Sequence, residues 1–117
     1  MQPAQPSPQE AQQKLEQVAA LLRSADHLEP QAQREIADLL EELAKVLGRS
    51  TPATPEAAHL AETTANVARA VHEQHQGGLL DSATRRLEEA ALRAQAQAPL
   101  AVGIVRRLLA ALADLGI

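Results

Sequence analysis

The chain contains no Phe, Tyr or Trp, no Cys, and only five glycines among its 117 residues. Aromatic side chains bury the largest areas and dominate most cores and interfaces. Here that work falls to Leu, Ile and Val, 27 in all, with alanine between them. Alanine lets helices approach closely but adds little buried area, so self-association is a natural remedy for a thin core. Without Cys there are neither disulfides nor thiolate metal sites, which is compatible with a reducing cytoplasm. The net charge of −4 argues against general nucleic-acid binding, which needs a concentrated basic face. A chain of this length supports one domain.

The apolar residues are concentrated at the C-terminal end. Residues 100–117 are apolar almost all the way round, with Arg106, Arg107 and Asp114 as their only charges. Leu100, Ile104, Val105, Leu108, Leu109, Leu112 and Leu115 fall at helical spacing, and alanines fill the faces between them. A surface helix normally keeps a polar side, so this one is expected to be buried in a bundle or pressed against another chain. The run is about as long as a short membrane span. Two adjacent arginines near its middle would each cost about 2.5–3.5 kcal/mol there, so a soluble, cytoplasmic protein is expected, not a membrane one. The start, Met1-Gln2-Pro3-Ala4-Gln5-Pro6, has neither the positive region nor the apolar stretch of a secretory signal.

The rest of the chain reads as helices separated by turn signals. Residues 1–8, rich in Pro and Gln, are expected to be a disordered arm, with a single helical domain over 9–117. Leu15, Val18, Ala19 and Leu22 mark a first helix over 9–24. Pro30 starts a second, carrying Ile36, Leu39, Leu40, Leu43, Val46 and Leu47 at i, i+3, i+4, i+7 spacing. On its outer side Arg34 with Asp38, and Glu41 with Lys45, stand four apart. Gly48 is the expected stop, and residues 9–47 form a helical hairpin. A flexible linker over 48–55 follows. The third helix, 56–74, has only a weak stripe of Leu60, Thr64, Val67 and Val71 and ends at Gly77-Gly78. The fourth is capped by Asp81 or Ser82 and carries Leu87, Ala90, Ala91 and Ala94. Pro99 opens the fifth, which closes on Gly116, with Ile117 folding back onto Leu112. No strand pattern appears.

Two blocks resemble the bacterial domain-of-unknown-function family numbered 4404. One is Leu28-Glu29-Pro30-Gln31-Ala32-Gln33-Arg34-Glu35-Ile36-Ala37-Asp38-Leu39-Leu40, similar to the acidic approach to that family's second helix. The other is Leu87-Glu88-Glu89-Ala90-Ala91, then Pro99, Arg106-Arg107-Leu108 and Leu112 through Gly116-Ile117, similar to its C-terminal helix pair. The chain departs from the family in having Ala94 and Ala98 where members carry an aromatic residue and a histidine. Its segment 50–78 looks like an insertion. The resemblance implies a helical architecture and brings no activity or functional residues. Nine arginines against two lysines are in keeping with a GC-rich bacterial genome.

Little in the chain carries chemistry. His72-Glu73-Gln74-His75 is the one cluster that invites a metal. A zincin helix needs histidines four apart with Glu after the first, whereas His72 and His75 are three apart and lack a third ligand nearby. His59 falls on a different face, and both histidines read better as imidazoles near a helix C-terminus. For Arg106 and Arg107 an anionic partner is one reading. The others are a solvated helix edge and pairing with Glu88 or Glu89 across the corner at Pro99. Ser50-Thr51 and Thr63-Thr64 have no accompanying base. Adjacent acids such as Glu41-Glu42 and Glu88-Glu89 point about 100° apart on a helix and are poor acid/base partners.

The sequence therefore predicts an all-α protein of four to five helices. An N-terminal hairpin packs as a bundle with the Ala-rich helices of residues 56–117. The predicted role is non-enzymatic, without catalytic residues, metal or cofactor: a self-associating interaction module or small scaffold. Its expected partner is a second copy or another helical protein. Its interface or core is drawn from Leu100, Ile104, Val105, Leu108, Leu109, Leu112, Leu115 and Ile117. The alternative is peripheral membrane binding through the C-terminal helix.

Overall fold

The computed structural model describes residues 8–25, 28–49, 54–73 and 78–114, and these form an all-α bundle. Five helices follow one another: α1 Pro8–Arg23, α2 Pro30–Arg49, α3 Pro55–His72, α4 Gly78–Ala94 and α5 Pro99–Asp114. Four of the five open on proline. Its fixed φ suits the first helical position, and its missing N–H would have been unpaired there anyway. At α3 the start is built further: the Thr54 hydroxyl accepts from the Ala57 N–H at 3.1 Å. That is an N-cap, and it satisfies one of the first-turn donors. Ahead of α5 the carbonyl of Ala94 accepts from both Gln97 and Ala98, and the chain turns there into Pro99.

The helices close into a ring. α1 lies along α2 and α3, α2 also packs on α5, and α4 joins α3 to α5, the α4–α5 contact being the smaller. One apolar core runs through all five, from Leu15 and Leu22 through Leu40, Leu43, Leu60 and Leu87 to Leu108. The hairpin and the later helices thus share a single core on both sides of segment 50–53.

Several boundaries differ from the sequence reading. Gly48 does not stop α2, which continues through Arg49. A Cβ there would stand 2.7 Å from Oε1 of Gln12 on α1, the far end of a side chain that can move aside. With Thr54 and Pro55 serving α3, the expected linker shrinks from both ends, and its residues 50–53 lie outside the described residues. α3 ends at His72, well before Gly77. α4 begins at Gly78, so Asp81 sits in its first turn and Ser82 just beyond it, and neither is its cap. Asp81 instead pairs with Arg85 at 3.2 Å.

The weak stripe of α3 turns out to belong to the most extensively buried helix. Leu60, Thr64 and Val67 are fully covered, together with Ala57, Ala61, Ala65 and Ala68. Small side chains let α1 and α4 approach it from two sides, so its low hydrophobic contrast reflects burial of more than one face. The threonines are tolerated because they bond within their own helix. The Thr64 hydroxyl donates to the Leu60 carbonyl at 2.7 Å, and that of Thr63 to the carbonyls of His59 and Leu60.

α5 departs from expectation in the opposite sense. Ala101, Val102, Ile104, Val105, Leu108, Ala111 and Leu112 are buried and Leu109 is half-buried. Leu100, however, is 63% exposed and is not a core residue. Gly103, Arg106, Arg107, Ala110, Ala113 and Asp114 are exposed as well. Packed mainly on α2 and α4, α5 keeps an outward stripe. Leu115 and Ile117, with the expected turn at Gly116, lie outside the described residues.

Leu108, 2% exposed, tests the core. Leu108→Asp buries an unpaired carboxylate at a cost of several kcal/mol, comparable with the stability of a small domain. The variant should lose its cooperative thermal transition by circular dichroism; a wild-type melting temperature would remove α5 from the core.

Candidate functional site

The polar side chains that meet in this bundle do so along helix seams. Arg23, in the last turn of α1, reaches across to α2, where it meets Asp38 at 2.8 Å and Glu41 at 2.9 Å. Its hydrogen bond to Glu41, then that to Asp38, raises the guanidinium pKa above its ordinary value. Arg23 is therefore a fixed cation with no acid/base role. Asp38 and Glu41, which the sequence pairs with Arg34 and Lys45 along one helix, are turned toward α1 instead.

Beside this cluster Gln33 closes the end of α1. Its side-chain amide donates to the carbonyl of Leu22 at 2.7 Å and to that of Arg23. The last carbonyls of a helix have no partner within it, and this glutamine supplies one from the next helix. Nothing in the sequence marks Gln33 for the task, because its partners are backbone groups eleven and ten residues away. A shallow depression lined by Arg23, Pro30, Gln33 and Arg34 opens here. Two of its polar side chains, Arg23 and Gln33, already serve the α1–α2 junction.

The C-terminal arginines are placed by two different elements. Arg107 donates to Glu42 of α2 at 2.9 Å, joining α5 to the hairpin. Arg106 donates to Oε1 of Gln95, in the turn before α5, at 3.2 Å. Pairing is thus the reading that the geometry favours for Arg107, but its partner is Glu42 and not Glu88 or Glu89. The latter two are exposed on α4. Sequence spacing could not find Glu42, since 65 residues separate the two side chains.

His72 sits half-buried at the end of α3, while His75 and His27 lie outside the described residues. Among the described residues no group of three or more His, Asp or Glu side chains converges to hold a metal. No helix among them is long and apolar enough to cross a membrane.

Some large apolar side chains also stand at the surface. Leu92 on α4 is 68% exposed, and Leu100 opens the outward stripe of α5. Gly103 stands in the middle of that stripe with nothing within 4 Å of where a Cβ would be. Glycine inside an exposed helix costs about 0.5–1 kcal/mol relative to alanine. Neither the core nor a turn of this chain requires it at that place.

No family model, curated protein or solved structure matches the chain.

Gln33→Glu tests the α1 cap. It sets a carboxylate against two carbonyls at the negative end of α1, and should lower stability by about 1–3 kcal/mol at neutral pH. The loss should shrink as acid returns a proton to the carboxyl. A chemical denaturation midpoint equal to wild type across that range would show that the contact contributes nothing.

Proposed function

We propose that this protein is a non-enzymatic, self-associating helical module or small scaffold. The observation that carries the reading is the outward stripe of α5. A chain that builds its core without one aromatic ring nevertheless leaves Leu100 63% exposed, beside a glycine facing open space. The stripe sets Leu100, Gly103, Ala110 and Ala113 among Arg106, Arg107 and Asp114, and its small residues would let another helix approach closely. The polar clusters support the same reading from the other side, since Arg23, Gln33 and Arg107 each hold two helices together. The proposal includes a cytoplasmic location, with which a cysteine-free chain is compatible, and kinship with the family numbered 4404, which rests on the two sequence blocks alone.

Exposed Leu92 and Leu100, with Arg93 and Arg106 exposed nearby in the chain, are what the alternative of membrane-surface binding would use. Against it, each arginine near an anionic surface contributes only about 1 kcal/mol. Val102, Ile104, Val105, Leu108 and Leu112 of α5 are already buried in the bundle.

Light scattering on the intact chain over a range of concentrations tests the proposal. The mass should rise to a multiple of 12.5 kDa, and the chain should not cosediment with anionic vesicles at physiological salt. A single-chain mass at about 0.1 mM, far above micromolar dissociation constants, would overturn self-association. Salt-sensitive vesicle binding by a single-chain species would put the membrane reading in its place.

A further inference from the structure

We infer that α4 is a lid: it opens by itself, uncovering the sides of α3 and α5 that it covers, while α1, α2, α3 and α5 stay folded. The inference is independent of self-association and rests on how little of α4 is anchored. Among its described residues Leu87 is the one large aliphatic side chain that is buried, and Ala90, Ala91 and Ala94 complete its buried set. Leu92 is 68% exposed and Leu80 only half-buried. Each of the other four helices buries at least three side chains of valine size or larger, and α2 buries Ile36, Leu39, Leu40, Leu43 and Leu47. Apolar area removed from water is the main force holding a helix to a bundle, so α4 is held least.

The surfaces that face α4 do not make up the difference. Its main neighbour is α3, whose buried residues are Ala, Thr and Val apart from Leu60. Its contact with α5 is the smaller one. Small groups on both sides give a close approach but remove little area from water. Polar contacts do not fasten it either. Of the described side chains of α4, none makes an ion pair or hydrogen bond to another helix. Asp81 pairs with Arg85 and the Thr84 hydroxyl donates to the Leu80 carbonyl, both within α4.

The helices that stay behind are fastened to one another without α4. Arg23 joins α1 to Asp38 and Glu41 of α2, α3 lies along α1, and α5 is docked on α2 with Arg107 on Glu42. Arg106 holds Gln95, so the turn that follows α4 is gripped from the α5 side and marks where the lid swings. Most helical stability in a protein comes from packing of the apolar face, so α4 once lifted frays and its amides meet solvent. Few buried apolar contacts are what distinguish segments that open locally from those that open only with the whole molecule.

Native-state hydrogen exchange on the intact chain reads the opening. The amides of Leu87, Ala90 and Ala91 should exchange at least about tenfold faster than those of Leu40 and Leu43, and with little dependence on added denaturant. Two variants separate a lid from a helix that opens only in global unfolding. Ile36→Val lies in the part that stays folded, so it should speed exchange in α2 about two- to tenfold and leave that of α4 unchanged. Leu87→Ala should strip protection from α4 and leave the other four helices with a cooperative melting transition. Equal protection in α4 and α2, or an Ile36→Val effect of the same size on both, would mean one cooperative unit and overturn the lid. So would a Leu87→Ala chain with no cooperative transition, or exchange of α5 in step with α4.

Discussion

Helix backbones in this protein have to come close together, because no side chain in the core is large enough to bridge a wide gap. Leucine is the biggest residue available to most positions, and alanine occupies many of the rest. Dispersion contacts fall away within an ångström or so of the optimum, so a core of small groups holds only where the packing is tight. α3 meets this constraint most directly. Its alanines at 57, 61, 65 and 68 admit neighbours on two sides, and its threonines fold their hydroxyls back onto their own helix and present only methyl groups outward.

Polar side chains then fix how the helices are aligned. Arg23, anchored by Asp38 and Glu41, ties α1 to α2, and Gln33 stitches the end of α1 to the same helix. Arg107 ties α5 to α2 through Glu42. These contacts are largely exposed, so each contributes modestly to stability. Their value lies in position, since a core of interchangeable aliphatic residues has few features that favour one helix alignment over another.

Much of the architecture was legible in the amino-acid sequence. The prolines at 30 and 99, the clean periodicity of α2 and the apolar density of α5 give helix number and order. What could not be read has physical causes. Glycine marks a helix end only when it leaves the helical conformation, and Gly48 stays within it, with α2 continuing through Arg49. A helix buried on two faces shows little contrast between them, which is why α3 looked weak. The exposure of Leu100 follows from α5 packing mainly on two neighbours, a fact of topology that periodicity does not carry. At the candidate surface, the apolar character of α5 was evident in advance. Which of its faces remained outward was not, and the polar partners Gln33 and Glu42 were hidden by long sequence separation.

The ring arrangement also has a temporal meaning. α1 with α2, and α3 with α4, are neighbours in both sequence and space, so each pair can assemble as soon as it has been synthesised. α5 leaves the ribosome after all four, and its docking on α2 requires a contact across more than half the chain. Until it arrives, the side of α2 that will receive it stays open to solvent. A polypeptide interrupted before Pro99 would carry that apolar surface permanently, open to any chaperone or protease that recognises such surfaces.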